Sequence, residues 1–126
     1  MDNNVIIFIK NSKCKFLIHQ RAWNKKTYPG KFGIGCGGKI DPGETPLEAA
    51  HRELKEELGI YGVELKFLFQ KDNSHIYYLL WDGYYKKDCP EFKWIDWVDI
   101  YRVHKYDLCD DTRIFWKQYY ESLPKD

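Results

Sequence analysis

Apolar positions along this chain follow two rhythms. Val5–Ile9 (VIIFI) is a short, largely β-branched run, and Lys15–Arg21 (KFLIHQR) follows it across Asn11-Ser12-Lys13. Runs of this kind separated by turn residues predict strands, here a hairpin. Ala22–Lys31 (AWNKKTYPGK) is polar and carries a Pro-Gly, which predicts a loop. Phe32–Ile34 reads as a short strand leading into a glycine-rich loop. The period then changes to that of a helix. Leu47, Ala50, Leu54 and Leu58 recur at helical spacing over Pro46–Leu58 and predict its buried stripe. Thr45 caps this helix, Glu48 completes a capping box, Pro46 suits the first helical position, and Gly59 suits the left-handed residue past the end. Val63–Gln70 and His75–Tyr85 predict two longer strands joined at Asp72-Asn73-Ser74. Phe92–Val98 alternates as another strand, and Asp110 and Asp111 open a C-terminal helix to about Tyr120. Strands with one internal and one terminal helix predict a mixed α/β fold.

Composition narrows the picture. A chain of 126 residues suits one domain, and no repeat or low-complexity linker divides residues 1–126. A formal net charge of +1 gives no global pull toward nucleic acid or an anionic membrane. The opening MDNNVIIFIK lacks a basic start and a long apolar run, so no signal peptide is expected. No apolar stretch approaches the roughly 20 residues of a membrane span. Cys14, Cys36, Cys89 and Cys109 show no CxxC spacing, which predicts reduced, mostly buried thiols in a cytoplasmic protein and no zinc site. Aromatic residues form 17% of the chain; most are expected in the core, with a few able to line a pocket and stack on a flat ligand, and composition does not say which.

The helix carries the candidate chemistry. At about 100° per residue, Glu53, Glu56 and Glu57 fall within an arc of about 100° bordering the apolar stripe. Small Ala49 lies inside that arc. Glu48, Arg52 and Lys55 take the other side and read as a solvated face. Glu53 and Glu57 form an i,i+4 like-charge pair, and the last turn of a helix disfavours anions. An acidic helix face is commonly just a solvated surface. The alternative is a divalent cation held by several oxygens, and Mg²⁺ favours a few carboxylates together with water and substrate phosphates. The preceding Gly37-Gly38 and Asp41-Pro42-Gly43 form a tight loop able to lend a carbonyl to a metal or amides to a phosphate.

Gly38, five residues, Glu44, seven residues, then Arg52-Glu53-Leu54-Lys55-Glu56-Glu57-Leu58-Gly59-Ile60 matches every fixed position of the pattern G-x5-E-x7-R-E-U-x-E-E-x-G-U, where U is a bulky aliphatic. On these 23 residues the chain resembles a Nudix hydrolase. The resemblance implies an α/β/α sandwich around a mixed β-sheet. It implies a hydrolase that cleaves a diphosphate bond in a nucleoside diphosphate linked to another group, with Mg²⁺ or Mn²⁺ as cofactor. It implies Glu53, Glu56 and Glu57 as metal ligands, joined by a carbonyl at Gly37 or Gly38. Arg52 is then expected to orient a metal-binding glutamate, and Glu44 to support the loop and helix.

Glu57 or Glu53 is the first candidate for the general base, with Glu91, Asp88, Asp110 and Asp111 as alternatives in later loops. For substrate, the candidates are Arg21 and Gly38 on phosphate and Tyr28 and Phe32 on a base, with core packing the competing role for the two rings. His19 is expected to pack or hydrogen-bond within the sheet. The implied partner is a small nucleotide, with no membrane, and no basic tract for nucleic acid. A homodimer stays open. Two rival functions remain. HQRAWNKKTYPGKF is similar to isopentenyl-diphosphate isomerases, although Cys36 lacks the cysteine–histidine-proline context expected there. The other rival is a catalytically silent Nudix module that binds a nucleotide.

Overall fold

Seven strands and two helices make up the chain in the computed structural model, which describes residues 3–124. Strands β1 (Asn4–Lys10) and β2 (Lys15–Arg21) are the expected hairpin, antiparallel with Lys10 opposite Phe16. β3 (Phe32–Ile34) adds to β2, and β4 (Cys36–Lys39) pairs antiparallel with β1. Helix α1 (Pro46–Leu58) follows, then β5 (Lys66–Lys71), β6 (Ser74–Leu80), β7 (Phe92–Asp99), a 3₁₀ turn at Val103–Lys105 and α2 (Asp110–Ser122). β6 runs parallel to β1 while the other pairings are antiparallel, so the sheet is mixed.

The period-2 alternation of β1 builds the layers. Val5, Ile7 and Ile9 point to one face, where Ala49, Ala50, Leu54 and Leu58 of α1 cover them. Phe8 points to the other, where Phe16 and Ile18 of β2 meet Phe115, Trp116 and Tyr119 of α2. Phe16 and Trp116 pack edge to face at 4.9 Å. The result is the expected α/β/α sandwich with one helix on each face.

Four expectations need correction. The glycine-rich stretch at 36–39 is a strand rather than a loop. Glycines carry no side-chain alternation to announce it, and they are what lets the segment press on β1: a Cβ at Gly35 or Gly37 would run into the Ile7 or Val5 carbonyl. The strand expected over His75–Tyr85 stops at Leu80. Beyond it, Asp82 turns to accept hydrogen bonds from the Ser12 backbone N–H and hydroxyl at 3.0 and 2.9 Å. The strand expected from Val63 begins at Lys66. Leu47 is 43% exposed, because the packed face of α1 is turned toward Ala49 and Glu57 and leaves Leu47 at its edge in the first turn.

Candidate active site

The glutamates of α1 stand over a cavity of about 510 Å³. Two local features fix their position. The cap is the reciprocal one expected: Glu48 N–H donates to Thr45 Oγ1 at 3.1 Å, and Thr45 N–H to Glu48 Oε1 at 2.8 Å. Gly59 takes φ 69° and closes the far end through its N–H to the Lys55 carbonyl at 2.9 Å. Between these ends, Glu53, Glu56 and Glu57 line the cavity with Gly37 and Gly38 of β4.

Arg52 is not on a solvated face. Its Nε and Nη2 donate to the two Glu44 oxygens at 2.7 and 3.0 Å, a bidentate pair. Nη1 donates to Glu53 Oε1 at 2.7 Å, and Nη2 also donates to the Lys39 carbonyl at 2.9 Å. A helix wheel misplaces such a residue because a long side chain bends around the helix end toward loop partners. Glu44 in turn accepts the Asp41 N–H at 2.8 Å. One guanidinium therefore ties the loop, β4 and the Glu53 carboxylate together, and holds the Glu44 carboxyl below its usual range. Gly38 completes the fit. A Cβ there would stand 2.5 Å from the Glu53 carboxylate.

Glu57 is the unusual member, being only 6% exposed. Its Oε1 accepts the Gly37 N–H at 3.1 Å, and a carboxylate oxygen lies within 4.8 Å of one of Glu91, just before β7. Burial first, then Glu91 and Glu53, push Glu57 up to about 9. Glu91 is held below the usual carboxylate range by Lys25, whose Nζ lies 2.6 Å away. The two neighbours are thus shifted in opposite directions, Glu57 up and Glu91 down. Glu53 also rises, because of burial. A cation placed among these oxygens relieves the like charges, so the donor set fits a hard divalent ion. Glu53, Glu56 and Glu57, with a carbonyl of Gly37 or Gly38, are the residues that could hold such an ion.

Basic and aromatic side chains also line the cavity. Arg21 reaches the cavity with its Nε donating to the Thr27 carbonyl at 2.9 Å and its Nη2 to Thr27 Oγ1 at 3.1 Å. Lys25, Lys39 and Tyr28 also line it. Phe32 does not; its ring packs edge to face on Tyr106 at 5.2 Å and on Trp94 at 6.0 Å. Of the alternative bases, Glu91 and Asp111 line the cavity, and Asp88 and Asp110 do not. His19 is a wall residue too: Nδ1–H donates to the Gly35 carbonyl at 2.7 Å, and the ring stacks on Phe92 at 4.3 Å. Burial lowers it to about 4. Cys36, Cys89 and Cys109 are buried free thiols and Cys14 is an exposed one. No helix among the described residues is long and apolar enough to cross a membrane.

A mixed sheet between two helices, with a capped acidic helix and a double glycine facing one cavity, defines a Nudix fold. The family model described as NUDIX domain matches residues 2–116, and the chain belongs to that family. It is 35% identical over 75 residues to an uncharacterised Nudix hydrolase of Yersinia pestis, covering 56% of this chain and 41% of that one. It is 34% identical over 110 residues to an isopentenyl-diphosphate Δ-isomerase of Pectobacterium atrosepticum, covering 82% of this chain and 61% of the relative. The chain thus spans less than two thirds of the length of these relatives. A crystal structure from Deinococcus radiodurans superposes with a TM-score of 0.84 at 21% identity, over 94% of this chain and 83% of that one.

Proposed function

We propose that this chain is a divalent-metal-dependent pyrophosphohydrolase that cleaves the diphosphate bond of a small nucleotide. The observation that carries the reading is one cavity lined both by carboxylates, Glu53, Glu56, Glu57 and Glu91, and by the basic side chains of Arg21, Lys25 and Lys39. A diphosphate there meets cations from the basic side chains and, through a bound metal, the carboxylates. Bound Mg²⁺ or Mn²⁺ supplies charge neutralisation for phosphate oxygens and makes phosphorus more electrophilic. The chain does the rest. Arg52 and Glu44 fix Glu53, and Gly38 leaves room for its carboxylate. Arg21, fixed by Thr27, binds a phosphate oxygen. Tyr28, at the cavity mouth, stacks on the nucleoside.

Glu91 is the general base in this reading. It lines the cavity beside Glu57, and Lys25 holds its carboxyl below the usual range, so a carboxylate is at hand to take the proton of the water that attacks phosphorus. Glu57 and Glu53 then act as ligands rather than as the base. A panel of nucleoside triphosphates, oxidised guanine nucleotides, ADP-ribose, dinucleoside polyphosphates and NADH, with and without Mg²⁺ or Mn²⁺, tests the proposal. Metal-dependent release of a phosphate or nucleotide product from at least one supports it, and no turnover on any counts against it.

The isomerase match favours one second reading, an isopentenyl-diphosphate isomerase-like enzyme. Cys36 lines the cavity next to Gly37, as that reading needs. Burial, with Glu57 and Glu53 nearby, pushes its thiol well above the ordinary range, which disfavours a reactive thiolate. Isomerisation of isopentenyl diphosphate, lost in Cys36→Ser, is the outcome that selects this alternative. A catalytically silent nucleotide-binding module predicts nucleotide affinity with neither activity.

A further inference from the structure

Cys89 has no part in diphosphate hydrolysis, yet its thiol is placed against the acidic cluster. It is 6% exposed, in the turn that leads into β7. The Phe92 N–H donates to the Cys89 carbonyl at 3.0 Å, which closes that turn and brings Glu91 beside the sulfur. Cys89 Sγ and one carboxylate oxygen from each of Glu57 and Glu91 lie within 4.8 Å of one another. Among the described residues, this is the one group of three metal-ligating side chains that converges so closely.

We propose that Cys89, Glu91 and Glu57 form a cation site selective for a divalent ion of borderline softness, of the Zn²⁺ class, distinct in preference from the Mg²⁺-type position on α1. Bond lengths of about 2.0–2.3 Å to oxygen and sulfur span such a trio after small side-chain rotations. Binding displaces the Cys89 thiol proton to solvent, and the metal-bound thiolate sulfur selects the ion. Mg²⁺ is hard and takes oxygen, whereas Zn²⁺ and Co²⁺ accept mixed sulfur and carboxylate sets. Glu57 and Glu91 both line the cavity, so the ion enters from there, and the buried Cys89 closes the inner side. Three protein ligands leave a further position for water or a phosphate oxygen. The nearby cations do not fill the site: Lys25 reaches Glu91 alone, and Arg52 is engaged by Glu44 and Glu53. Glu57 belongs to both positions. A borderline ion bound here takes Glu57 from the hard ion and Glu91 from its part as base, so zinc antagonises magnesium-supported turnover.

The test needs no nucleotide and reads the same whether or not the chain is a pyrophosphohydrolase. Co²⁺ is titrated into the folded, reduced full chain. A thiolate-to-cobalt charge-transfer band saturates at one equivalent, persists in Cys36→Ser and disappears in Cys89→Ser. Zn²⁺ bleaches the band, and excess Mg²⁺ does not. Glu91→Gln weakens zinc binding by roughly tenfold or more. X-ray absorption at the zinc edge of the wild-type protein gives one sulfur at about 2.3 Å among oxygen neighbours, which covers the case in which Cys89→Ser fails to fold. The proposal is overturned by absence of the band, by its survival in folded Cys89→Ser, by equal displacement with Mg²⁺, by unchanged zinc affinity in Glu91→Gln, or by a zinc shell without sulfur.

Discussion

Glu57, buried in the last turn of α1, lies beside the exposed Glu91 that immediately precedes β7, with a carboxylate oxygen of each within 4.8 Å of the other. Lys25 balances Glu91 at 2.6 Å, whereas Glu57, among the described residues, takes only the Gly37 N–H. On the proposed reading the acidic face of α1 is a metal site rather than a solvated surface, and each carboxylate's part is separable by substitution.

Glu57→Gln keeps the hydrogen bond from Gly37 and can donate to Glu91, so folding survives. It removes a ligand. Metal-dependent turnover should fall by roughly 10²–10⁴-fold, the range general for loss of a positioned group in the reaction. Initial rates beside circular dichroism check this. Turnover within a few-fold of wild type contradicts the part given to Glu57.

Arg52→Lys is not conservative. One ammonium cannot serve Glu44 bidentately and Glu53 at the same time. The substitution should cost about 1–3 kcal/mol in urea unfolding, from charged partners left without their donor. It should also weaken Mn²⁺ binding as Glu53 loses its orientation. A variant as stable as wild type, with unchanged Mn²⁺ affinity, speaks against this role.

Gly38→Ala separates site from fold. Its Cβ meets the end of the flexible Glu53 side chain and no backbone atom at that distance. Glu53 must swing away, so turnover and Mn²⁺ affinity drop while the unfolding midpoint moves little. Unaltered kinetics show that Glu53 has slack.

His19 sets a pH window for stability. Its folded-state pKa of about 4 lies below the unfolded value of 6.5, because burial disfavours the charged ring. Between those values the unfolded chain binds more protons, so stability rises with pH across the window. It is fully present above about 6.5 and lost progressively as pH falls toward 4, by ~3 kcal/mol at the rate of 1.36 kcal/mol per pKa unit. Urea unfolding against pH shows this slope in wild type and a smaller one in His19→Gln. Identical slopes would assign the loss to other groups.

Much of this fold is written locally. The α1 limits and caps follow from Thr45, Pro46, Glu48 and Gly59, because capping is settled within one turn. The strands β1, β2 and β7 were legible because β-branched and alternating residues carry the period themselves. β4 was not, since glycines have no side-chain period and their strand exists only by contact with β1. Arg52 was misplaced by the wheel for a related reason: its partners come from the loop and from β4. Within the site, the three helix glutamates stood out by spacing. Their meeting with Glu91, Lys25 and Cys89 did not, because the β2–β7 pairing that delivers those residues joins parts of the chain far apart in sequence. The burial of Glu57 was hidden as well, a carboxylate being the residue type least expected inside.

The most direct test of the central claim is Mn²⁺ binding by the full chain, followed by calorimetry in the presence of a nucleoside diphosphate. Saturable binding in wild type that is lost in both Glu53→Gln and Glu57→Gln is the predicted result. No Mn²⁺ affinity in wild type, or affinity untouched by both substitutions, would mean that the carboxylates of α1 do not hold a cation.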